Sequence, residues 1–427
     1  SVWFDGRCLM NLHKRLAGVL TGLVCTALLA SCTPQHSDGA RSVTITEAGN
    51  TSEILGSPIQ TDTGWEVTFP ETTSTARALC ARTSGTATYF KTRNYKPKDT
   101  SSTPPVPGST LVSLNPQDGS VRWARKITPE MHTHYFYDES NTPQGSFLDF
   151  QECTSTAFIS NEKYLAFYLR PWMTSEGSSN ISDQRMNIMV LDTETGNEIR
   201  TVEVSGLVLN QAIVNDSLVV ETAQNYYPAG TGVLNVFSLT DPHAEPTTTR
   251  TDNWLIGSAN DSLLMSPQNS LMRLPKLDSY VISTIIRTTV TGEELETFTG
   301  VTAIHPNGWI ERAKDPKAAV ATAASPDKTP LAALPRDLIN INSGASVDVT
   351  GQYVTSVNLT TGPGLLLRTV TTTGEGENKK TTYTNHFWLP ATPDATEPRT
   401  DDMQRIEIDG ATNKVLSKPI RMGEEDM

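Results

Sequence analysis

The sequence predicts an all-β chain built as a β-propeller, a ring of four-stranded sheets. Three observations predict it. From about Trp65 onward, short runs of Val, Ile, Leu, Tyr, Phe and Thr are separated by Asn, Asp, Gly and Pro, and long amphipathic helical stretches are nearly absent. A polar turn leading into an apolar strand recurs at Asn161-Glu-Lys-Tyr164, Asn215-Asp-Ser-Leu218, Asn260-Asp-Ser-Leu263, Asn307-Gly-Trp309 and Gly351-Gln-Tyr353, in steps of 54, 45, 47 and 44 residues. A second element, a strand, a Gly-containing turn and a strand, recurs at Leu111–Trp123, Ile188–Ile199, Thr291–Leu295 and Ile406–Val415. In these turns Gly supplies the positive φ without steric cost, and Asp or Asn caps through its side chain.

The two elements keep one register. Asn161 precedes Gly196 by 35 residues and Asn260 precedes Gly292 by 32. One four-stranded sheet per roughly 40–45 residues is the propeller blade. Seven blades are favoured, with six or eight open. The strand near Trp65–Phe69 and the C-terminal Ile406–Ile420 are expected to complete the last blade jointly.

The N-terminus carries an address. Ser1–Leu9 has no pattern of its own and reads as upstream sequence, with Met10 as the start. Lys14 and Arg15 precede the apolar run Leu16–Leu29, the layout of a secretory signal over residues 10–31. As a helix that run spans about 21 Å, short of a hydrocarbon core of about 30 Å. Leu29-Ala30-Ser31-Cys32 resembles the bacterial lipobox. That resemblance implies cleavage before Cys32, lipid on its thiol and anchoring at the extracytoplasmic face of the cell membrane. The alternative is an ordinary signal peptide. Residues 32–60, rich in Ser, Thr, Gly, Asp and Glu, are expected to be a flexible tether, with the propeller over 61–427.

Charge and cysteine content narrow the partners. The 427 residues carry a formal charge of −13, which becomes −15 once Asp5, Arg7, Lys14 and Arg15 leave with the leader. No basic face is expected and no nucleic acid partner. Hydrophobic residues make up 37% of the chain at a mean hydropathy of −0.32, which excludes a multi-span membrane protein. Of five cysteines, Cys8 and Cys25 lie in the leader and Cys32 takes the lipid. Cys80 and Cys153 remain and are expected to form a disulfide, two separate thiols being the alternative. Such a bridge contributes about 4 kcal/mol on the chain-entropy model.

Leu111-Val-Ser-Leu-Asn-Pro-Gln-Asp-Gly-Ser-Val-Arg-Trp123 resembles the repeat of the quinoprotein-like (PQQ-like) propellers, whose blades carry a Leu-Asp-x-x-x-Gly-x-x-x-Trp type sequence. Ile188–Ile199 resembles it without the tryptophan. The Thr-, Ala- and Asp-rich texture resembles that of actinobacterial proteins. The resemblance implies a fold and no activity.

Motifs that carry chemistry are few. G-x-S-x-G, H-E-x-x-H and C-x-x-C are absent, and Gly374–Lys380 lacks a Walker pattern and reads as an exposed hairpin tip. His132-Thr-His134, with Asp138 and Glu139 nearby, is the best metal candidate, but two imidazoles beside aromatics also describe a surface loop, and no metal is assigned. No Cys-Cys pair supports a quinone, and no cofactor is expected. Trp65, Trp123, Trp254, Trp309 and Trp388 are expected to pack within or between blades, with Trp172 best placed to touch a ligand. Insertions near 91–108, 129–156 and 313–335 are where binding is expected. Three functional readings follow: a binding or scaffold module for protein, peptide or glycan; an enzyme with residues drawn from several blades; and an envelope-assembly factor.

Overall fold

The computed structural model describes residues 43–48, 55–68, 78–84, 87–94, 108–129, 158–169, 185–223, 232–267, 284–318, 331–374, 376–409, 412 and 414–426. Most of these residues lie in strands, and the rest are turns, bends and short 3-10 segments. Three strands come first: β1 (Val43–Glu47), β2 (Ile59–Thr61) and β3 (Gly64–Thr68). Five antiparallel units of four strands follow, each laid down in chain order from its first strand to its last. They are β4 to β7 (Ala78–Ser84, Ala87–Asn94, Gly108–Leu114, Val121–Pro129) and β8 to β11 (Phe158–Ser160, Tyr164–Leu169, Arg185–Asp192, Glu198–Ser205). Next are β12 to β15 (Leu207–Val214, Ser217–Ala223, Gly232–Ser238, Thr247–Thr251) and β16 to β19 (Trp254–Ala259, Ser262–Ser266, Thr284–Thr288, Glu294–Thr299). The fifth is β20 to β23 (Val301–His305, Trp309–Ala313, Arg336–Asn340, Ser346–Asp348).

The remaining strands form one eight-stranded sheet, β2-β3-β28-β27-β24-β25-β26-β29. It contains β24 (Tyr353–Leu359), β25 (Gly362–Thr373), β26 (Lys380–Pro390), β27 (Met403–Asp409), β28 (Lys414–Ile420) and β29 (Glu425–Asp426). Its halves are joined in the strand ladder by a single residue pair, Leu359 with Arg405. Divided there, it gives a sixth unit, β24-β25-β26-β29, and a seventh, β27-β28-β3-β2. The seventh joins both ends of the described chain. Val415 of β28 faces Val67 of β3, and Lys414 faces Thr68. The joint completion expected from Trp65–Phe69 and Ile406–Ile420 is therefore observed.

Burial explains why each strand has its composition. Second strands are covered on both faces, so β13 and β17 are almost wholly buried and read as runs such as Leu218-Val-Val and Leu263-Leu-Met. Fourth strands lie at the rim, and β15 and β19 are largely exposed Thr and Glu. Buried clusters fill every seam. Leu111 and Trp123 meet Phe167 and Leu191, which in turn share a cluster with Leu218 of the third unit. Val219 meets Leu263, Leu264 meets Ile310, Trp309 meets Leu365, and Trp388 meets Ile420. Val415 and Trp65 meet Val112 of the first unit. The last seam returns to the first unit, and the fold is a β-propeller.

Two expectations need correction. The stretch 32–60 is not a tether throughout. Val43-Thr-Ile-Thr alternates as a strand should, and β1 pairs along β7 from Val43↔Pro129 to Glu47↔Arg125. Leu55 is buried in the core, and Ile59–Thr61 form β2. The insertion placed near 91–108 is also narrower, at 95–107, while those placed near 129–156 and 313–335 fall at 130–157 and 314–335. β5 runs to Asn94, β6 starts at Gly108, β7 ends at Pro129 and β21 ends at Ala313. Ala332 and Leu334 are buried at the far base of the last insertion.

Candidate functional site: the loop-bearing end

Up-and-down order puts the connections between second and third strands at one end of the ring and the first-to-second and third-to-fourth turns at the other. The two ends differ sharply. At the turn end most connections are short and internally capped, the eight-residue 239–246 being the longest in the first five units. Asn215, Asn260 and Asn307 hold φ of 50°, 50° and 59° in the first-to-second turns. Asp192 Oδ1 accepts from the Thr195 amide at 2.7 Å, and Asn340 Oδ1 from the Asn342 amide at 2.8 Å.

The turn end is also stitched from unit to unit. The Tyr164 hydroxyl donates to Asp216 Oδ1 at 2.8 Å. Burial, then that aspartate, pushes Tyr164 up to about 12, and the same hydrogen bond, with Lys163, holds Asp216 below the usual carboxylate range. Arg287 donates to Ile341 O at 3.0 Å and to Asn342 Oδ1 at 3.2 Å in the next unit. Gln117 of the first unit donates to Thr360 O of the sixth at 2.9 Å. A surface occupied by its own cross-links has few polar groups to offer a ligand.

At the other end the second-to-third connections are 95–107, 170–184, 224–231, 267–283, 314–335 and 374–379. The base of the fifth is pinned. The Lys314 amide donates to Pro335 O at 2.8 Å, and the Lys314 ammonium reaches Asp348 at 2.8 Å and Asp337 at 3.3 Å. That ammonium, with Thr350, holds Asp348 well below the usual carboxylate range. The sixth, Gly374–Lys379, is exposed where described, as expected of a hairpin tip. Tyr353, the first residue of β24, is 40% exposed at this end.

Two buried polar clusters lie in the seams. In the fifth unit, His305 Nε2 is 2.8 Å from Glu311 Oε1, and Glu311 Oε2 pairs with Arg336. Arg336 also donates to Val349 O at 3.3 Å and to Gln352 O, the backbone that leads into β24. In the third unit, Glu221 Oε2 accepts from the Leu255 amide at 2.8 Å, and Asn210 Nδ2 donates to Leu255 O at 2.8 Å. Both backbone groups of Leu255, near the start of β16, are held by side chains of the preceding unit.

The tryptophans pack as expected. Trp65, Trp123, Trp254, Trp309 and Trp388 are all buried. The Trp65 indole donates to Pro116 O at 2.9 Å and covers Gly119, and the Trp123 indole donates to Thr193 O at 3.0 Å and covers Gly196. Gly119 and Gly196 hold φ of 74° and 70°, and a β-carbon on either would lie 2.5 Å from the ring. The Gly and Trp of the repeat thus serve each other across a seam.

Of the other residues singled out in the sequence, Cys80 lies on β4. Leu29, Ala30, Ser31, Cys32, His132, His134, Cys153 and Trp172 lie outside the described residues. Among the described residues no group of three or more His, Cys, Asp or Glu is placed to hold a metal ion. Sequence reasoning missed Glu221, His305, Glu311 and Arg336. The available signal was a lone acid inside an apolar run, Leu218-Val-Val-Glu221.

No family model matches the chain, and no curated protein does. Solved structures similar to it include the β-propeller domain of the Trilobed protease from Pyrococcus furiosus, at 12% identity over 83% of this chain and 96% of that one, with a TM-score of 0.41. BamB from Moraxella catarrhalis is similar at 10% identity over 88% and 98%, with a TM-score of 0.27. Sqt1 from Saccharomyces cerevisiae is similar at 11% over 82% and 97%, with a TM-score of 0.31. The fold assignment rests on the strand pairing and the filled seams.

Proposed function

We propose that the chain is a membrane-anchored extracytoplasmic lipoprotein whose propeller, of seven blades, is a binding or scaffold module. Its partner is a protein, peptide or glycan, taken at the end that carries the long connections. The observation that carries this reading is the asymmetry of the two ends. One is closed by short turns tied to one another, and the other bears 95–107, 170–184, 224–231, 267–283 and 314–335. Loops on a rigid scaffold are where recognition usually resides. The lipobox-like Leu29-Ala-Ser-Cys32 supports the anchor, with lipid on Cys32, and Cys80–Cys153 is the proposed disulfide.

The test has two arms. Cys32→Ala should remove acyl labelling and release the protein from membranes; a variant that stays bound overturns the anchor. Replacing 267–283 or 95–107 by short Gly-Ser links should abolish recovery of cross-linked partners from intact cells and binding on a glycan array, with unfolding unchanged. Equal recovery, or turnover of a substrate that survives every loop replacement, overturns the binding assignment.

A further inference from the structure

The inner strands of three successive units carry a bulge at the same place. Pairing skips Leu209 between β12 and β13, Ile256 between β16 and β17, and Thr302 between β20 and β21. The first pair after each bulge is Asn210↔Glu221, Gly257↔Leu264 and Ala303↔Glu311. Glu221, Leu264 and Glu311 therefore occupy equivalent positions, and the structure supplies its own controls. Leu264 shows that the position accepts an apolar side chain. Glu311 shows how a carboxylate is housed there, with Arg336 on one oxygen and His305 on the other.

Glu221 has neither partner. It is 1% exposed, and among the described residues its one side-chain hydrogen bond comes from the Leu255 amide. Among the described residues Oε1 has no hydrogen-bond partner, and it lies 2.8 Å from where a β-carbon on Gly232 would stand. Glycine at 232 is what leaves it room. The strands around it, β12, β14, β16 and β17, contain no ionisable side chain, and Glu221 is the only one on β13. On β15 and its turn into β16 the charged residues are Arg250 and Asp252, both exposed. An ionised carboxylate in this seam has one amide to offset its lost hydration, whereas the neutral acid is tolerated.

We propose that Glu221 is a proton-linked latch between the third and fourth units: neutral, it seats β16 against β13, and on losing its proton it loosens that seam. Burial pushes the group up to about 7 from an ordinary 4.5, against the pull of the Leu255 amide. The sign follows from linkage. The folded state holds a proton that the unfolded chain releases near 4.5. Stability from Glu221 is full below that pH and is lost as pH rises through about 7. Between those limits the folding constant falls by up to about tenfold per pH unit.

The experiment compares the full chain with Glu221→Gln, which keeps an acceptor for Leu255 and cannot ionise. Urea midpoints measured from pH 4.5 to 8.5 should fall more steeply for the wild type up to pH 7 and run parallel above it. Beyond its intrinsic pH dependence, exchange at the Leu255 amide should accelerate from pH 4.5 to 7 in the wild type and not in the variant, and run parallel in the two above pH 7. Identical pH profiles overturn the proposal. Should Glu221→Gln not fold, Glu221→Leu, which copies the residue found at the equivalent Leu264, serves the same comparison. Infrared difference spectra of the wild type give a check that needs no stable variant. A protonated buried carboxyl band should be present at pH 5.5 and lost by pH 8.5, and its absence at pH 5.5 overturns the latch.

Discussion

The indole of Trp123 occupies the space that a β-carbon on Gly196 would need, at 2.5 Å, and its nitrogen donates to Thr193 O in the same turn at 3.0 Å. Arg125, two residues on, donates to Gly196 O at 2.9 Å. A strand of the first unit thereby fixes a turn of the second through one aromatic face and one guanidinium.

Gly196→Ala should destabilise the protein by about 2–4 kcal/mol. The left-handed conformation costs an alanine about 1–2 kcal/mol, and displacing the packed ring adds a similar amount. Denaturant unfolding checks this. Gly344→Ala is the control, since Gly344 has a φ of 74°, close to the 70° of Gly196, but meets nothing within 4 Å, and it should cost only the conformational part.

Arg336→Met should cost about 3–5 kcal/mol, because it strands Glu311 as an uncompensated charge in a seam where both side chains are 5% exposed. Glu311→Leu combined with Arg336→Met should recover most of that loss, given that leucine already stands at the equivalent Leu264. A double-mutant cycle on urea midpoints measures the coupling.

Excising 319–330, whose sequence of Ala, Thr, Ser, Pro, Asp and Lys offers Val320 as its one larger apolar side chain, should leave thermal unfolding within about 0.5 kcal/mol of the parent. Extending the cut through Leu334 should cost about 2 kcal/mol or more, since Ala332 and Leu334 are buried and Gly351 donates to Ala332 O at 2.7 Å. Paired melting curves of the two deletions decide it.

How far the fold was legible in the sequence varied with the range of the interactions. The turns at Asn215, Asn260 and Asn307 were legible because a positive φ restricts residue choice locally. Phase was harder. Gly351 leads into β24, a first strand, whereas the asparagine turns lead into second strands; the matching turn of the sixth unit is Thr360-Thr361, which carries no Asn. Asp409 likewise ends a first strand, not a third, while the third-to-fourth turn Asn340–Gly344, which keeps the four-residue spacing and backbone bond of Asp192–Gly196, has no Trp or Asp beside it to single it out. β1 was hidden by its polar neighbours, since five residues pair only because β7 offers an edge. Glu311 and Arg336 are 25 residues apart, and their meeting depends on the register of β21 with β22 across a long connection, which spacing does not announce.

The closing sheet has a consequence for biogenesis. The Trp65 amide donates to Ser417 Oγ across 352 residues, so β3 is synthesised first and waits for nearly the whole chain before its partner exists. Until then β3 and β28 are open edges, and either can pair with the same strand of a neighbouring nascent chain. The ring can close only after the last strands have been made. Crowded synthesis should favour dimers that have exchanged β2 and β3.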